Sequence, residues 1–134
     1  MEIKKEIKRD SFAVRITLLE NEQTIGWAHI FIKFQDRHNE PYAYLENMYV
    51  EPGFQSKGYG TKIVQLAIEE AKKQGCYKII GTSKHHKTRV HEFYEKNGFV
   101  KYGYAFRRDL ISNTVTKTAD GKEQWTAIPE HKNL

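Results

Sequence analysis

A single cysteine, Cys76, stands in a chain of 134 residues. No disulfide can close within it, which excludes a disulfide-stapled scaffold and a cysteine-based zinc finger. No apolar run approaches the ~18 residues of a membrane helix. The first residues, Met-Glu-Ile-Lys-Lys-Glu-Ile-Lys-Arg, carry charges where a secretory leader needs an apolar core. Internal repeats and low-complexity stretches are missing as well. These absences lead to the expectation of a soluble protein of a reducing cytoplasm, with no membrane partner.

What is present narrows the choice. The length fits one domain and is too short for two ordinary ones. Apolar residues make up only 39%, but eight Tyr, seven Phe and two Trp supply large areas to bury, so a wholly disordered chain is not expected. Lys and Arg number 22 against 17 Asp and Glu, a net charge of +5. That balance suits an anionic partner: nucleic acid, a nucleotide cofactor or an acidic substrate.

Along the chain, residues 11–34 read as strands. Phe12, Val14, Ile16 and Leu18 alternate, Asn21-Glu22-Gln23 is a turn signal, and Thr24 to Phe34 resumes the β-rich pattern. Gln35 to Pro41 reads as a polar loop. Tyr42 to Val50 is a strand ended by Glu51-Pro52-Gly53. The period then changes. From Thr61 to Gln74, Ile63, Val64, Ala67, Ile68 and Ala71 share one helical face, and Gly75 is the expected C-terminal cap. Cys76 to Gly81 reads as a short strand, Thr88 to Lys96 as a second helix stopped by Asn97-Gly98, and Phe99 to Phe106 as a further strand. Strand 42–50, helix 61–74 and strand 76–81 form a βαβ unit, so those strands should be parallel within a mixed sheet. The polar segment 111–134, anchored by Trp125 and Ile128, reads as an added hairpin or a tail on a core of 11–110. All 134 residues are taken as one domain.

Between strand and helix stands Gln55-Ser56-Lys57-Gly58-Tyr59-Gly60. A helix N-terminus has free N–H groups and the positive end of the dipole. Glycines let the backbone approach an anion closely, and the result is a cradle for phosphate or pyrophosphate. Lys57 can add charge, and Ser56 and Thr61 hydroxyl donors. Neither a Walker loop nor a dinucleotide fingerprint is complete here.

With that turn, the stretch Leu45-Glu46-Asn47-Met48-Tyr49-Val50-Glu51-Pro52 resembles the acetyl-CoA-binding core of the GCN5-related N-acetyltransferases (GNAT). So do the later segments Gly75–Ile80 and His91-Glu92-Phe93-Tyr94-Glu95-Lys96-Asn97-Gly98-Phe99. The resemblance runs from about Tyr42 to Leu110. It implies an α/β chain of the α+β type, with a mixed, mostly antiparallel central sheet flanked by helices. This is the acyl-CoA N-acyltransferase fold, here lacking the usual helices between its first two strands. It implies acetyl-CoA as cosubstrate, its pyrophosphate held by Gln55, Ser56, Lys57, Gly58, Tyr59, Gly60 and Thr61. The family's fourth and fifth strands splay apart, and backbone groups of Met48, Tyr49 and Val50 would hold the pantetheine along the exposed edge. Lys87 stands where many relatives carry an Asn that touches the cofactor.

For the chemistry, the resemblance makes Tyr94 the candidate general acid toward the leaving thiolate. A phenol with a reference pKa of about 10 is protonated at neutral pH. Glu46 is the candidate base. Strand parity sets Tyr44, Glu46, Met48 and Val50 on one face and Leu45, Asn47 and Tyr49 on the other. A carboxylate between apolar residues would be desolvated toward a useful base. His85, His86 and His91 cluster without a complete ligand set, so no metal is expected. The expected activity is transfer of acetyl from acetyl-CoA to a primary amine, of a small molecule first, by direct attack in a ternary complex. A non-catalytic CoA-binding sensor or assembly module is the alternative. No RRM, KH, helix-turn-helix or zinc pattern supports a nucleic-acid partner. Relatives often pair through edge strands, which leaves a homodimer open.

Overall fold

Alternating apolar residues build three long strands: β1 (Phe12–Glu20), β2 (Gln23–Gln35) and β3 (His38–Val50), an antiparallel meander. These coordinates are a computed structural model that describes residues 1–119 and 121–127. Both connections are tight. Asn21 and Glu22 link β1 to β2 with φ of 49° and 65°, the two positive values a primed hairpin turn requires. The polar loop expected over 35–41 is instead the turn Asp36–Arg37, because β3 begins at His38. There His38 pairs with Gln35 and stacks on Tyr77, with ring centroids 3.9 Å apart. Backbone pairing continues past the point where the apolar pattern stops.

The helix α1 (Tyr59–Lys73) starts two residues before the expected Thr61. Its Ile63, Val64, Ala67 and Ala71 are buried against Ala28, Ile30 and Ile32 of β2 and Ala43 and Leu45 of β3. Close packing here needs Gly26, where an added Cβ would collide with the Tyr49 carbonyl oxygen and stand 2.9 Å from Ile63 Cδ1. The helix ends on Gly75 at φ 80°. The Gly75 amide donates to Lys72 O and the Cys76 amide to Ala71 O, both at 3.0 Å, a Schellman cap. The cap consumes Gly75 and Cys76, so β4 is Ile79–Gly81 and not the expected 76–81. It runs parallel to β3 as expected, in the sheet order β1-β2-β3-β4. The helix α2 (Thr88–Lys96) has the expected bounds. The sheet is therefore mixed and mostly antiparallel, with α1 packed on one face.

Two further sequence expectations fail. Residues 99–106 carry the alternation of a strand but belong to none. The Phe99 amide donates to Tyr94 O (3.0 Å), after which no ladder forms. The face assignment along β3 also breaks. Asn47 sits at φ 53°, and β2 residues Trp27 and His29 pair with Tyr49 and Glu46, leaving one extra residue in β3. This is a β-bulge, and it reverses the parity beyond it. Glu46 consequently shares a face with Tyr49, while Met48 and Val50 pack on the core with Ala43 and Leu45.

The chain divides into two compact units, Met1–Lys101 and Tyr102–Leu134. Within the second, β5 (Ile111–Lys117) and β6 (Glu123–Ala127) pair antiparallel, the hairpin that the sequence allowed for 111–134. Ile128 and the side chain of Trp125 lie outside what is described. Among the described residues no helix is long and apolar enough to cross a membrane.

Candidate active site

The first unit forks where β3 and β4 separate. Their pairing covers only Ala43–Ile79, Tyr44–Ile80 and Leu45–Gly81. Beyond Leu45, β3 remains paired to β2 on one side, and among the described residues no strand lies on the other. Met48, Tyr49 and Val50 thus lie on a free strand edge. The bulge at Asn47 marks the start of that edge.

At its far end the chain turns through a 3₁₀ turn, Pro52–Phe54, into α1. Ser56 takes φ 60° and Gly58, the helix N-cap, φ 85°. Left-handed residues in such a turn swing successive N–H groups toward one concavity, an anion-binding nest. The first main-chain bond of the helix is Lys62 N–H to Gly58 O, at 3.2 Å. From Ser56 through Thr61 no amide donates to an acceptor among the described residues, and the first turn of α1 holds no acidic side chain. A run of donors at the positive end of a helix, facing solvent and unspent, is what a bound anion requires.

These features line one cavity of about 490 Å³. Met48, Tyr49 and Val50 line it from β3, and Gln55, Ser56, Gly58, Gly60 and Thr61 from the turn. The other two predicted members stand outside it. Lys57 is exposed, and the Tyr59 ring packs edge-on against Phe54 (5.8 Å) with its hydroxyl 3.5 Å from Glu20. Gln55 is committed to the fold, since its Nε2 donates to Val50 O at 2.9 Å and closes the turn onto the strand. Two lining residues were missed: Phe54, and Phe93 of α2. The helical spacing of Phe93 from Val90 in the sequence gives a shared face without saying what it meets.

Tyr94 lies at the fork. An added Cβ on Gly81 would stand 2.8 Å from Tyr94 Cε1 and 3.0 Å from its hydroxyl oxygen, so the phenol rests directly on Gly81. The ring packs against Phe99 at 5.1 Å and Phe93 at 6.0 Å. Burial raises the phenol's pKa above its ordinary value, and the neighbouring Tyr44 adds to the rise. Tyr44 ties β3 to the residue just past β4, its hydroxyl donating to Thr82 Oγ1 at 3.2 Å. Glu46 departs from expectation. It is exposed, on the sheet face away from α1 and opposite His29, so the desolvation on which its role as a base was argued is missing. No three His, Cys, Asp or Glu side chains gather as a metal site among the described residues. His91 lies with Nε2 3.0 Å from Lys84 O, closing the loop before α2.

Beside this free strand edge, anion nest and half-buried phenol stands a match to a known family: the acetyltransferase (GNAT) family profile fits residues 2–99. The chain belongs to the GNAT acetyltransferase family. Among solved structures, a protein of Agrobacterium tumefaciens str. C58 assigned as an acetyltransferase is 33% identical to this GNAT chain. The alignment covers 72% of this chain and 69% of that one, with a TM-score of 0.64. Glucosamine-6-phosphate N-acetyltransferase from Arabidopsis thaliana shares the fold at 22% identity, with coverage of 72% and 66% and a TM-score of 0.65. An aminoglycoside N-acetyltransferase in complex with CoA shares it at 18% identity, with coverage of 71% and 74% and a TM-score of 0.60. No curated protein matches the chain.

Proposed function

We propose that this protein is an acetyl-CoA-dependent N-acetyltransferase that acetylates a primary amine of a small molecule by direct attack in a ternary complex. The observation that carries the reading is the continuity of the free edge at Met48–Val50 with the unspent amides of Ser56–Thr61 around one cavity. Acetyl-CoA supplies the acetyl thioester. The backbone of Met48, Tyr49 and Val50 would hold its pantetheine arm, and the main-chain N–H groups there are candidates for the developing oxyanion. The nest from Ser56 to Thr61 would take the pyrophosphate, with Lys57 adding positive charge from the rim. Gln55 acts by holding the nest against Val50.

Tyr94 is the proposed acid. Its raised pKa keeps the proton on the phenol throughout the neutral range, where it can hydrogen-bond the leaving thiolate. Glu46 shares the open sheet face with Tyr49 and would take the amine's proton from that side, through a water. The relatives named for glucosamine-6-phosphate and aminoglycosides make amino sugars the first acceptors to test.

The test is release of free thiol from acetyl-CoA against a panel of amines, amino sugars first. Wild-type protein should turn over at least one amine. Tyr94→Phe should lower kcat by about 10²–10⁴-fold, the usual worth of a positioned acid, while leaving acetyl-CoA affinity unchanged. Tight acetyl-CoA binding without thiol release from any amine would identify a CoA-binding module instead.

A further inference from the structure

Strand pairing within the first unit builds a polar row across the sheet. Arg15 of β1 stands opposite His29 of β2, and His29 stands opposite Glu46 of β3. The row lies on the face away from α1, because Ala28 and Ile30 on either side of His29 are buried in the core under that helix. Two aromatic pairs bracket it. Trp27 and Tyr49 meet on one side with ring centroids 4.9 Å apart, and Phe31 stands opposite Tyr44 on the other. Among the described residues neither the Arg15 nor the Glu46 side chain makes a hydrogen bond or an ion pair, and His29 Nδ1 is buried with no partner. A buried nitrogen without a bond is uncommon and points to a use other than stability.

Arg15 is nonetheless held in place. Its Cζ lies 4.9 Å from the Trp27 ring centroid, a cation–π contact that orients the guanidinium and leaves its N–H donors unspent. Trp27 carries the stack on to Tyr49, which lines the cavity at the free strand edge. We propose that the acceptor is a primary amine that also carries an anionic group, a carboxylate or a phosphate monoester. The amine lies at the Glu46 end of the row and the anion on the Arg15 guanidinium. This rests on the acetyl-transfer reading and names its substrate class. Charge complementarity selects the occupant. A simple amine would leave Arg15 unpaired, and a simple anion would leave Glu46 unpaired, whereas a molecule with both groups satisfies the two ends at once. A planar guanidinium takes carboxylate or phosphate oxygens two at a time. Lys33, over the Tyr44 ring at 5.1 Å, sets a second cation on the same face and adds to the field that draws the anionic end. The ends of the row are about 10 Å apart, and a hydrogen bond at each end leaves about 4 Å, a short spacer of about three carbons.

The probes are 4-aminobutyrate, 3-aminopropyl phosphate and, without an anion, butylamine. Binding is read first. On a Trp125→Phe background Trp27 is the only indole, and its emission in the presence of CoA should change saturably with at least one anionic amine and not with butylamine at the same concentration. Which anionic amine binds tells carboxylate from phosphate. Arg15→Gln should weaken that binding about tenfold or more, the worth of a charge-assisted hydrogen bond, while CoA raises the melting temperature as before. Thiol release from acetyl-CoA is read second. Arg15→Gln should raise KM for the anionic amine by about the same factor and lower kcat far less. Saturable, Arg15-dependent binding without thiol release upholds the paired-charge site and fails the acetyl-transfer reading. Turnover of butylamine as efficient as that of both anionic amines overturns the proposal and leaves acetyl transfer standing. An unchanged KM in Arg15→Gln, or no saturable Trp27 response to either anionic amine, overturns it as well.

Discussion

Gly81 leaves the space in which the Tyr94 phenol sits. The ring needs the space that a Cβ on Gly81 would fill, 2.8 Å from Cε1 and 2.9 Å from Cζ. Those atoms belong to a ring held between Phe93 and Phe99, not to the free end of a flexible chain. The phenol would have to move at the fork of β3 and β4. In the proposed reaction a shift of about 1 Å in a positioned group costs about a hundredfold in rate. Gly81→Ala should therefore lower kcat by about that factor while acetyl-CoA affinity, set by the strand edge and the nest, stays within about twofold. Turnover and equilibrium binding measured on the same preparation check it, and an equal loss in both would place Gly81 in binding instead. The acid itself should set no alkaline limit on activity below the ordinary range of a phenol. Burial raises the phenol's pKa, so the proton is present up to and beyond the ordinary value of about 10.

At the scale of elements, α2 begins badly. Its N-cap is Lys87, at φ −87° and ψ 71°, with no side-chain bond to the first turn and no acidic residue there. A lysine at that end places positive charge beside the positive end of the dipole. Lys87→Asn supplies a capping oxygen and removes the charge, and should stabilise the free protein by about 1 kcal/mol. Urea unfolding without ligand measures it, and no gain would mean that the loop at 84–87 already satisfies those amides. Helix α2 also marks what was legible in the sequence. Its ends were plain because Asn97-Gly98 stops it, and α1 was plain because four apolar residues recur at helical spacing. The turn at Gln55–Gly60 was plain because Gly58 and Gly60 stand where the strand pattern gives way to a helical one. The face of Glu46 was not. This bulge sets one residue at positive φ, and asparagine tolerates that without advertising it. A period-two reading carried across Asn47 therefore put Glu46 with Met48 and inside the protein, when it lies with Tyr49 and outside. The strand at 99–106 misled for a different reason, because alternation specifies a strand's faces and says nothing of what it pairs with.

For the whole molecule, the charge balance and the site act in the same direction. The chain carries +5, and the cavity wall built from unspent amides stands at the positive end of α1. A ligand with both a pyrophosphate and an extended amide-bearing arm would engage the nest and the strand edge together, whereas a nucleoside triphosphate offers only the anion. Acetyl-CoA and CoA should therefore raise the melting temperature, and ATP at the same concentration should do so far less. At a hundred times Kd, a ligand that binds only the folded state adds about 2.7 kcal/mol, which for a chain of this length is a rise of roughly 5–10 °C. Gly58→Val separates the two contacts. It places a β-branched residue at φ 85°, where only glycine is comfortable. It should disturb the nest and abolish most of the CoA shift. Because an added Cβ at Gly58 meets no atom within 4 Å, the cost is one of backbone conformation and not of packing. The ligand-free melting temperature reads that cost directly. A variant that melts a few degrees lower and still shifts fully with CoA would mean that the strand edge holds the ligand and that the turn is only a turn.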